Sequence, residues 1–218
     1  MKSFVIAIDG PAGAGKSTVA QLVAQKLQYT YIDTGAMYRA VAWKTLQQQK
    51  PVTDALVLEV VKDIQVSLQY ADGKIMVAVD GRDVSREIRT PEVTKIVSQV
   101  ARLAPVREKM VLLQRQMAAR GAVVMDGRDI ASKVLPNADI KIFLTASIEE
   151  RAQRRWRELK GKGYEVDLAA LQKEIAARDR ADSEREISPL VQTADATLLD
   201  TTGMSIAEVV AVILDMCR

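Results

Sequence analysis

Residues 10–17 read GPAGAGKS, the G-x-x-x-x-G-K-[ST] spacing of a phosphate-binding loop. In such a loop the glycines let the backbone turn tightly around an anion. Several amide N–H groups and the positive end of the next helix then converge on the same phosphate oxygens. Lys16 would reach the β and γ phosphates, and Ser17 would offer its hydroxyl to Mg2+. Phosphoryl transfer also needs in-line geometry and positive groups around oxygens whose charge is redistributed in the transition state. Arginine suits that work, because its planar fork meets phosphate bidentately and stays charged. The candidates are Arg39, Arg128, the run Arg151, Arg154, Arg155 and Arg157, and the group Arg178, Arg180 and Arg185.

Composition narrows the alternatives. The chain of 218 residues has no histidine, which excludes a histidine base, a Ser-His-Asp triad and histidine ligation of zinc. Cys217 is the only cysteine, so there is no internal disulfide and no cysteine-cluster metal site. What remains for catalysis is carboxylates, lysine, arginine, backbone amides and a hard, oxygen-bound ion. A net charge of +3 suits small anionic substrates and is too weak for a nucleic-acid binder. Apolar content of 48% and charged content of 27% are those of a globular protein, and no stretch has the length or flanks of a signal peptide or membrane span. The expectation is one catalytic unit with mobile parts, in the cytoplasm, binding neither membrane nor nucleic acid.

The elements that must position these residues follow from periodicity. Phe4 to Ile8 is a continuous apolar run, as in a parallel strand buried on both faces, and Val19, Leu22, Val23 and Leu27 recur at helical spacing after the loop. Tyr29 to Ile32 is a short β-prone run ending at Asp33, Thr34 and Gly35, with a helix pattern from about Met37. From Lys50 to about Arg89 the pattern changes. Ile64 to Leu68 alternates, Asp72 and Gly73 give a turn signal, and Ile75 to Val79 is again β-prone, so this reads as an antiparallel insert. Thr90 and Pro91 suit an N-cap and first helical position; Pro105 ends or kinks that helix, and another pattern runs from Val106 to Arg120. Ala122 to Met125, Ile140 to Leu144 and Thr197 to Leu199 are further strands, while Ser147 with Glu150 and Ser205 with Glu208 are capping-box signatures. Strands alternating with helices predict an α/β fold with a parallel sheet covered on both faces.

Two patterns carry a choice. The tetrapeptide DGRD occurs at Asp80 to Asp83 and at Asp126 to Asp129. The first copy follows an alternating strand and reads as turn chemistry; the second follows a buried run, where an open sheet gathers ligand residues. The arginines from Arg151 to Arg157 fit either a solvated helix face balanced by Glu149, Glu150 and Glu158, or a segment folding over triphosphate on hinges at Gly161 and Gly163.

The combination GPAGAGKST, DTGAMYRA, VSREIRTPEVTKIVSQVARLAPVR from Val84 to Arg107, MDGRDI, and ISPLVQTADATLLDTT resembles the bacterial cytidylate kinases, in order and across nearly the whole chain. That resemblance implies a P-loop kinase fold: a five-stranded parallel sheet with helices on both faces, a small antiparallel insert in the monophosphate-binding part, and a helical lid. It divides a single domain into a core of 1–35, 90–147 and 188–218, a monophosphate-binding part of about 36–89 and a lid of about 148–187. It implies ATP-dependent conversion of CMP or dCMP to the diphosphate by a monomer. Residue by residue, Gly10, Pro11, Ala12, Gly13, Ala14, Gly15, Lys16, Ser17 and Thr18 would hold ATP with Arg151 and Arg155, with Ser17 on Mg2+. Thr34, Tyr38 and Arg39 would face the monophosphate, and Ser98, Arg107 and Asp129 the pyrimidine or its sugar. Arg128 would clamp the acceptor phosphate, with Arg178, Asp182 and Arg185 at further nucleotide contacts; Lys16, Arg39, Arg128 and Arg155 would be catalytic. Ala131, Ser132 and Lys133 depart from the family's usual Gly or Ala, Thr and Val, and put an extra positive charge beside the acceptor site. A GTPase switch would carry an N-K-x-D base-recognition motif, and none is present.

Overall fold

The strand before the glycine loop, β1 (Val5–Asp9), is the centre of the molecule. The computed structural model describes residues 3–71, 74–161 and 163–218. Ile6, Ala7 and Ile8 are wholly buried, as a strand covered on both faces requires. β1 lies between β6 (Val123–Gly127) and β7 (Ile140–Thr145), with β2 (Thr30–Asp33) outside β6 and β8 (Thr197–Asp200) outside β7. All four pairings are parallel. The register sets Asp9 beside Gly127 and Asp33 beside Asp126, so the polar carboxyl ends of three strands form one edge, where a doubly wound sheet binds its ligand.

Helices cover both faces. On one, Ile8, Val124 and Leu144 pack against Val19 and Val23 of α1 (Lys16–Leu27) and Val210 and Ile213 of α8 (Ile206–Asp215). On the other, Ile32 and Met125 pack with Ile130 and Val134 of a π-helical turn, Ile130–Val134. A separate apolar cluster joins α2 (Thr34–Leu46), α4 (Pro91–Ala101) and α5 (Ala104–Ala118) through Met37, Val41, Val97 and Met110. An α-helical pair, α6 (Ile148–Gly161) and α7 (Leu168–Glu184), spans the region assigned to the lid.

Several boundaries differ from the expectation. α2 begins at Thr34, three residues before Met37, because the Asp33 carboxylate accepts from the Ala36 amide at 2.9 Å and caps it. The stretch from Lys50 to Arg89 is not β throughout. Its first part is the helix α3 (Asp54–Asp63), capped by Thr53 and burying Leu56, Val57 and Val61 at helical spacing. The antiparallel part is β3 (Val66–Ala71), β4 (Lys74–Val79) and a short β5 (Arg82–Asp83); the turn signal at Asp72 and Gly73 lies outside the described residues. Pro105 sits in the first turn of α5, whereas α4 has already closed at Ala101. The Ser205 and Glu208 capping box is complete. At Ser147 only half is present: its Oγ accepts from the Glu150 amide at 3.2 Å, but Glu150 Oε1 accepts from Arg154 Nε at 2.9 Å. The first DGRD is a turn, with Asp80 and Gly81 at φ of 51° and 81°, and Asp80 accepting from the Gln65 amide at 2.9 Å.

Candidate active site

The loop between β1 and α1 is shaped by its neighbours. Gly10 has a φ of 147°, and a Cβ there would lie 1.9 Å from the Leu144 carbonyl oxygen, so only glycine lets β7 run this close. α2, α3, α4, α7 and α8 are each capped by a side chain, whereas α1, starting from Gly15, and α5, starting from Leu103, have no side-chain cap and no acidic residue in the first turn. The leading amides and positive dipole end of α1 therefore face the loop without a protein acceptor from a capping side chain. Lys16, 5% exposed, donates from Nζ to the Pro11 carbonyl at 2.7 Å. Burial, and then Arg128, push its ammonium pKa well below the usual lysine range.

A carboxylate faces the start of α1. Ser17 Oγ donates to Asp126 Oδ2 at 2.9 Å, and the Tyr31 hydroxyl donates to Asp126 Oδ1 at 2.7 Å. Burial, with Asp33 adding to it, raises Asp126 to about 6. An open cleft of about 410 Å3 borders this point, its walls including Ser17, Thr18, Tyr31, Asp33 and Arg89. Asp9, also raised to about 6 by burial, accepts from the Ile130 and Ala131 amides at 2.8 Å each and fixes the turn that follows β6.

Beyond that turn lies a group of guanidiniums. Arg39 donates to Thr94 Oγ1 at 2.8 Å, and burial, with Arg178, Arg89 and Arg155 nearby, lowers it to about 9. Arg178 falls to about 10 through burial and then Arg128, with Arg155 contributing, and its Nε is buried with no hydrogen-bond partner among the described residues. Arg128 Nε donates to Asp182 Oδ2 at 2.8 Å. Burial alone would raise Asp182, but Arg128 and Arg178 outweigh it and hold the carboxyl below the usual range. So much positive charge in a half-buried space is a place made for an anion.

A mixed pocket adjoins the cluster. Arg107 pairs with Asp129 and lies 5.3 Å above the Tyr38 ring. Arg185 Nη2 is 4.0 Å from Asp129 Oδ1 and its Nη1 is 3.8 Å from Asp182 Oδ1. Arg107 Nε, Arg185 Nη2 and the Tyr38 hydroxyl are buried with no hydrogen-bond partner among the described residues. Unfilled donors of this kind cost about 1–3 kcal/mol each, which a polar ligand can recover.

Most of the expected site residues thus meet in one place: Lys16, Ser17, Tyr38, Arg39, Arg107, Arg128, Asp129, Arg155, Arg178, Asp182 and Arg185. Others stand apart. The Thr34 hydroxyl is spent on the Asp126 carbonyl at 2.8 Å, and Ser98 is half-buried on α4. Arg151, expected over the triphosphate, is buried against the loop, donating to the carbonyls of Ala146 and Ala12 at 2.8 and 2.9 Å. Arg154 holds Thr201; Arg155, though near Arg39 and Arg178, spends its guanidinium on Glu158 at 2.7 Å. Lys133 lines a second cleft with Glu186, Ser188 and Pro189. Asp9, Tyr31 and Asp179 are missing from the expected set, and Asp126 entered it only as part of the second DGRD. A polar residue ending a buried apolar run is the signal that marks Asp9 and Asp126.

A profile of the cytidylate kinase family matches residues 6–218. The chain is 52% identical over 216 residues to the cytidylate kinase of Bacillus cereus strain ATCC 10987 / NRS 248, covering 99% of this chain and 96% of that one. It is 53% identical over 214 residues to the cytidylate kinase of Bacillus thuringiensis strain Al Hakam, covering 98% and 95%. Among solved structures, the shikimate kinase of Acinetobacter baumannii aligns with a TM-score of 0.51 at 15% identity, covering 99% of this chain and 93% of that one. The gluconokinase of Sinorhizobium meliloti 1021 aligns at 0.50 with 16% identity, covering 99% and 93%. These two share the fold and little sequence; the loop, the second DGRD and the guanidinium cluster lie in the span matched to the family, and the chain belongs to the cytidylate kinase family.

Proposed function

We propose that the chain transfers the γ-phosphoryl group of ATP to CMP or dCMP, giving ADP and CDP or dCDP. The observation that carries this reading is the pairing of an uncapped helix start behind the glycine loop with a second cationic cluster at the same sheet edge. One holds the donor polyphosphate and the other the acceptor phosphate.

The acceptor needs no activation by a protein base. A nucleoside monophosphate loses its second proton near pH 6, so at neutral pH its phosphate oxygen is already a nucleophile. That oxygen forms a bond to the γ phosphorus as the bond from that phosphorus to the β–γ bridging oxygen breaks; the electron pair leaves on ADP. Lys16 and the amides from Gly13 to Thr18 hold the donor, and Arg39, Arg128 and Arg178 hold the acceptor in line. Arg155, near Arg39 and Arg178, would leave Glu158 to spread the charge on the transferring group. Ser17 and Asp126, whose oxygens meet at 2.9 Å, would hold Mg2+ through two hard oxygens. Mg2+ neutralises phosphate charge when bound.

Cytosine presents an amino donor beside two acceptors, and Asp129 with Arg107, Arg185 and Ser98 supplies the complementary mix. Uracil leaves the carboxylate unmatched, at a cost of about 1–3 kcal/mol. No helix among the described residues is long and apolar enough to cross a membrane; we place the enzyme in the cytoplasm. ADP release measured with CMP, dCMP, UMP and AMP tests the scheme. CMP and dCMP should lead, with UMP at least about fivefold slower. Equal use of UMP would overturn the base assignment, and ADP release that no monophosphate stimulates would overturn the reaction.

A further inference from the structure

Asp179 has no part in the scheme above, yet it touches the donor loop. Its Oδ1 accepts from the Ala12 amide at 3.1 Å, and its Oδ2 accepts from Arg151 Nη1 at 2.6 Å. The same Arg151 nitrogen donates to the Ala12 carbonyl at 2.9 Å, and Arg151 Nε donates to the Ala146 carbonyl at 2.8 Å. Ala12 N–H and Ala12 C=O belong to successive peptide units, so both planes flanking the Ala12 Cα are held. Gly13 follows with φ of 76°, and a Cβ there would lie 3.2 Å from Arg151 Cβ. The direction in which the next amides point is therefore set from outside the loop, by side chains of α6 and α7. Arg178, next to Asp179 in α7, belongs to the acceptor cluster.

We infer that Asp179 is a positioning residue for the donor nucleotide, clamping the Ala12 peptides together with Arg151 so that the loop amides stay converged on the polyphosphate. The clamp rests on the reading that this loop holds ATP. Removing the carboxylate frees the Ala12 N–H plane, leaves Arg151 alone on the Ala12 carbonyl, and strips that buried guanidinium of its anion.

The test is the equilibrium affinity of a fluorescent, non-hydrolysable ATP analogue, together with KM for CMP, in the full-length enzyme and in Asp179→Ala, Asp179→Asn and Lys16→Ala. Asp179→Ala should weaken the analogue about tenfold or more, the loss of one charge-assisted bond, with KM for CMP within about twofold. Asp179→Asn keeps a carbonyl oxygen for the Ala12 amide and should fall between wild type and alanine; if the alanine variant does not fold, this variant alone carries the test. Analogue affinity unchanged in the Asp179 variants but lost in Lys16→Ala overturns the clamp and leaves the loop reading standing. Affinity unchanged in all three overturns both. An equal loss of donor and CMP affinity assigns Asp179 a merely structural role and also overturns the clamp.

Discussion

Replacing Arg178 by methionine should make the empty enzyme more stable and the working enzyme worse. Burial and the neighbouring Arg128 and Arg155 lower Arg178 from 12.5 to about 10, even after the pull of Asp182 and Asp179. A depression of that size corresponds to at most about 3 kcal/mol of unfavourable free energy in the unliganded fold. Structural relaxation and solvent screening reduce it to about 1–2 kcal/mol. Methionine fills similar volume without charge, and Arg178 Nε has no partner to lose. For a chain of this length about 1 kcal/mol moves Tm by about 2–4 °C, so the unliganded variant should melt roughly 2–8 °C higher. Deleting one guanidinium from the acceptor clamp removes about 1.5–3 kcal/mol of charge-assisted bonding, a rise in KM for CMP of about 10- to 100-fold. Thermal unfolding of the unliganded enzyme at low ionic strength reads the first effect, and steady-state kinetics with CMP the second. A lower Tm without ligand and an unaltered KM for CMP would refute the argument, because Arg178 would then be supporting the fold and not awaiting an anion.

Three further outcomes follow from the same geometry. Lys16→Ala should fold, and lower kcat by about 100- to 1,000-fold as a charged stabiliser of the transferring group is lost; near wild-type turnover in single-turnover assays would count against the donor site. Asp9 holds its proton more tightly folded, at about 6, than at its ordinary 3.8, so its contribution to stability is full below about pH 3.8 and lost as pH rises through about 6. Denaturant titrations from pH 4 to 7 should therefore show about 2 kcal/mol less decline in Asp9→Asn than in wild type, and an identical slope would exclude Asp9 as the source. Gly10→Ala drives a Cβ into the Leu144 carbonyl and should cost about 4 kcal/mol or more; a Tm within about 3 °C of wild type would show that the loop and β7 can separate freely.

Much of this was legible from residues alone, for reasons that can be named. Buried parallel strands are apolar runs, and polar letters at their ends mark the ligand edge, which is why the second DGRD could be separated from the first. The start of α1 without a side-chain cap was implicit in Gly15 and Lys16, neither of which has a side-chain acceptor for the first amides. Helix α3 was hidden because the two β-prone runs beside it dominated the stretch, although Thr53 and the spacing of Leu56, Val57 and Val61 were available. The position of Arg151 could not have been found the same way. Whether an arginine on a helix turns toward ligand or toward backbone depends on what packs opposite, and Ala12, Ala146 and Asp179 come from three distant parts of the chain. Asp179 itself has no local signature, since one carboxylate within a run of alternating charge is ordinary on a solvated helix.

The placing of β1 between β6 and β7 has a cost during synthesis. The first strand made has no sheet partner until residues 123–127 and 140–145 have been translated, well over a hundred residues later. At about 5–20 residues per second the apolar segment waits on the order of 10 s outside the ribosome, close to the surface of a growing chain. The nucleotide site is thus assembled late and all at once, and a chain truncated before Ile140 would leave its most hydrophobic strand half-covered, a substrate for chaperones and proteases and not for nucleotides.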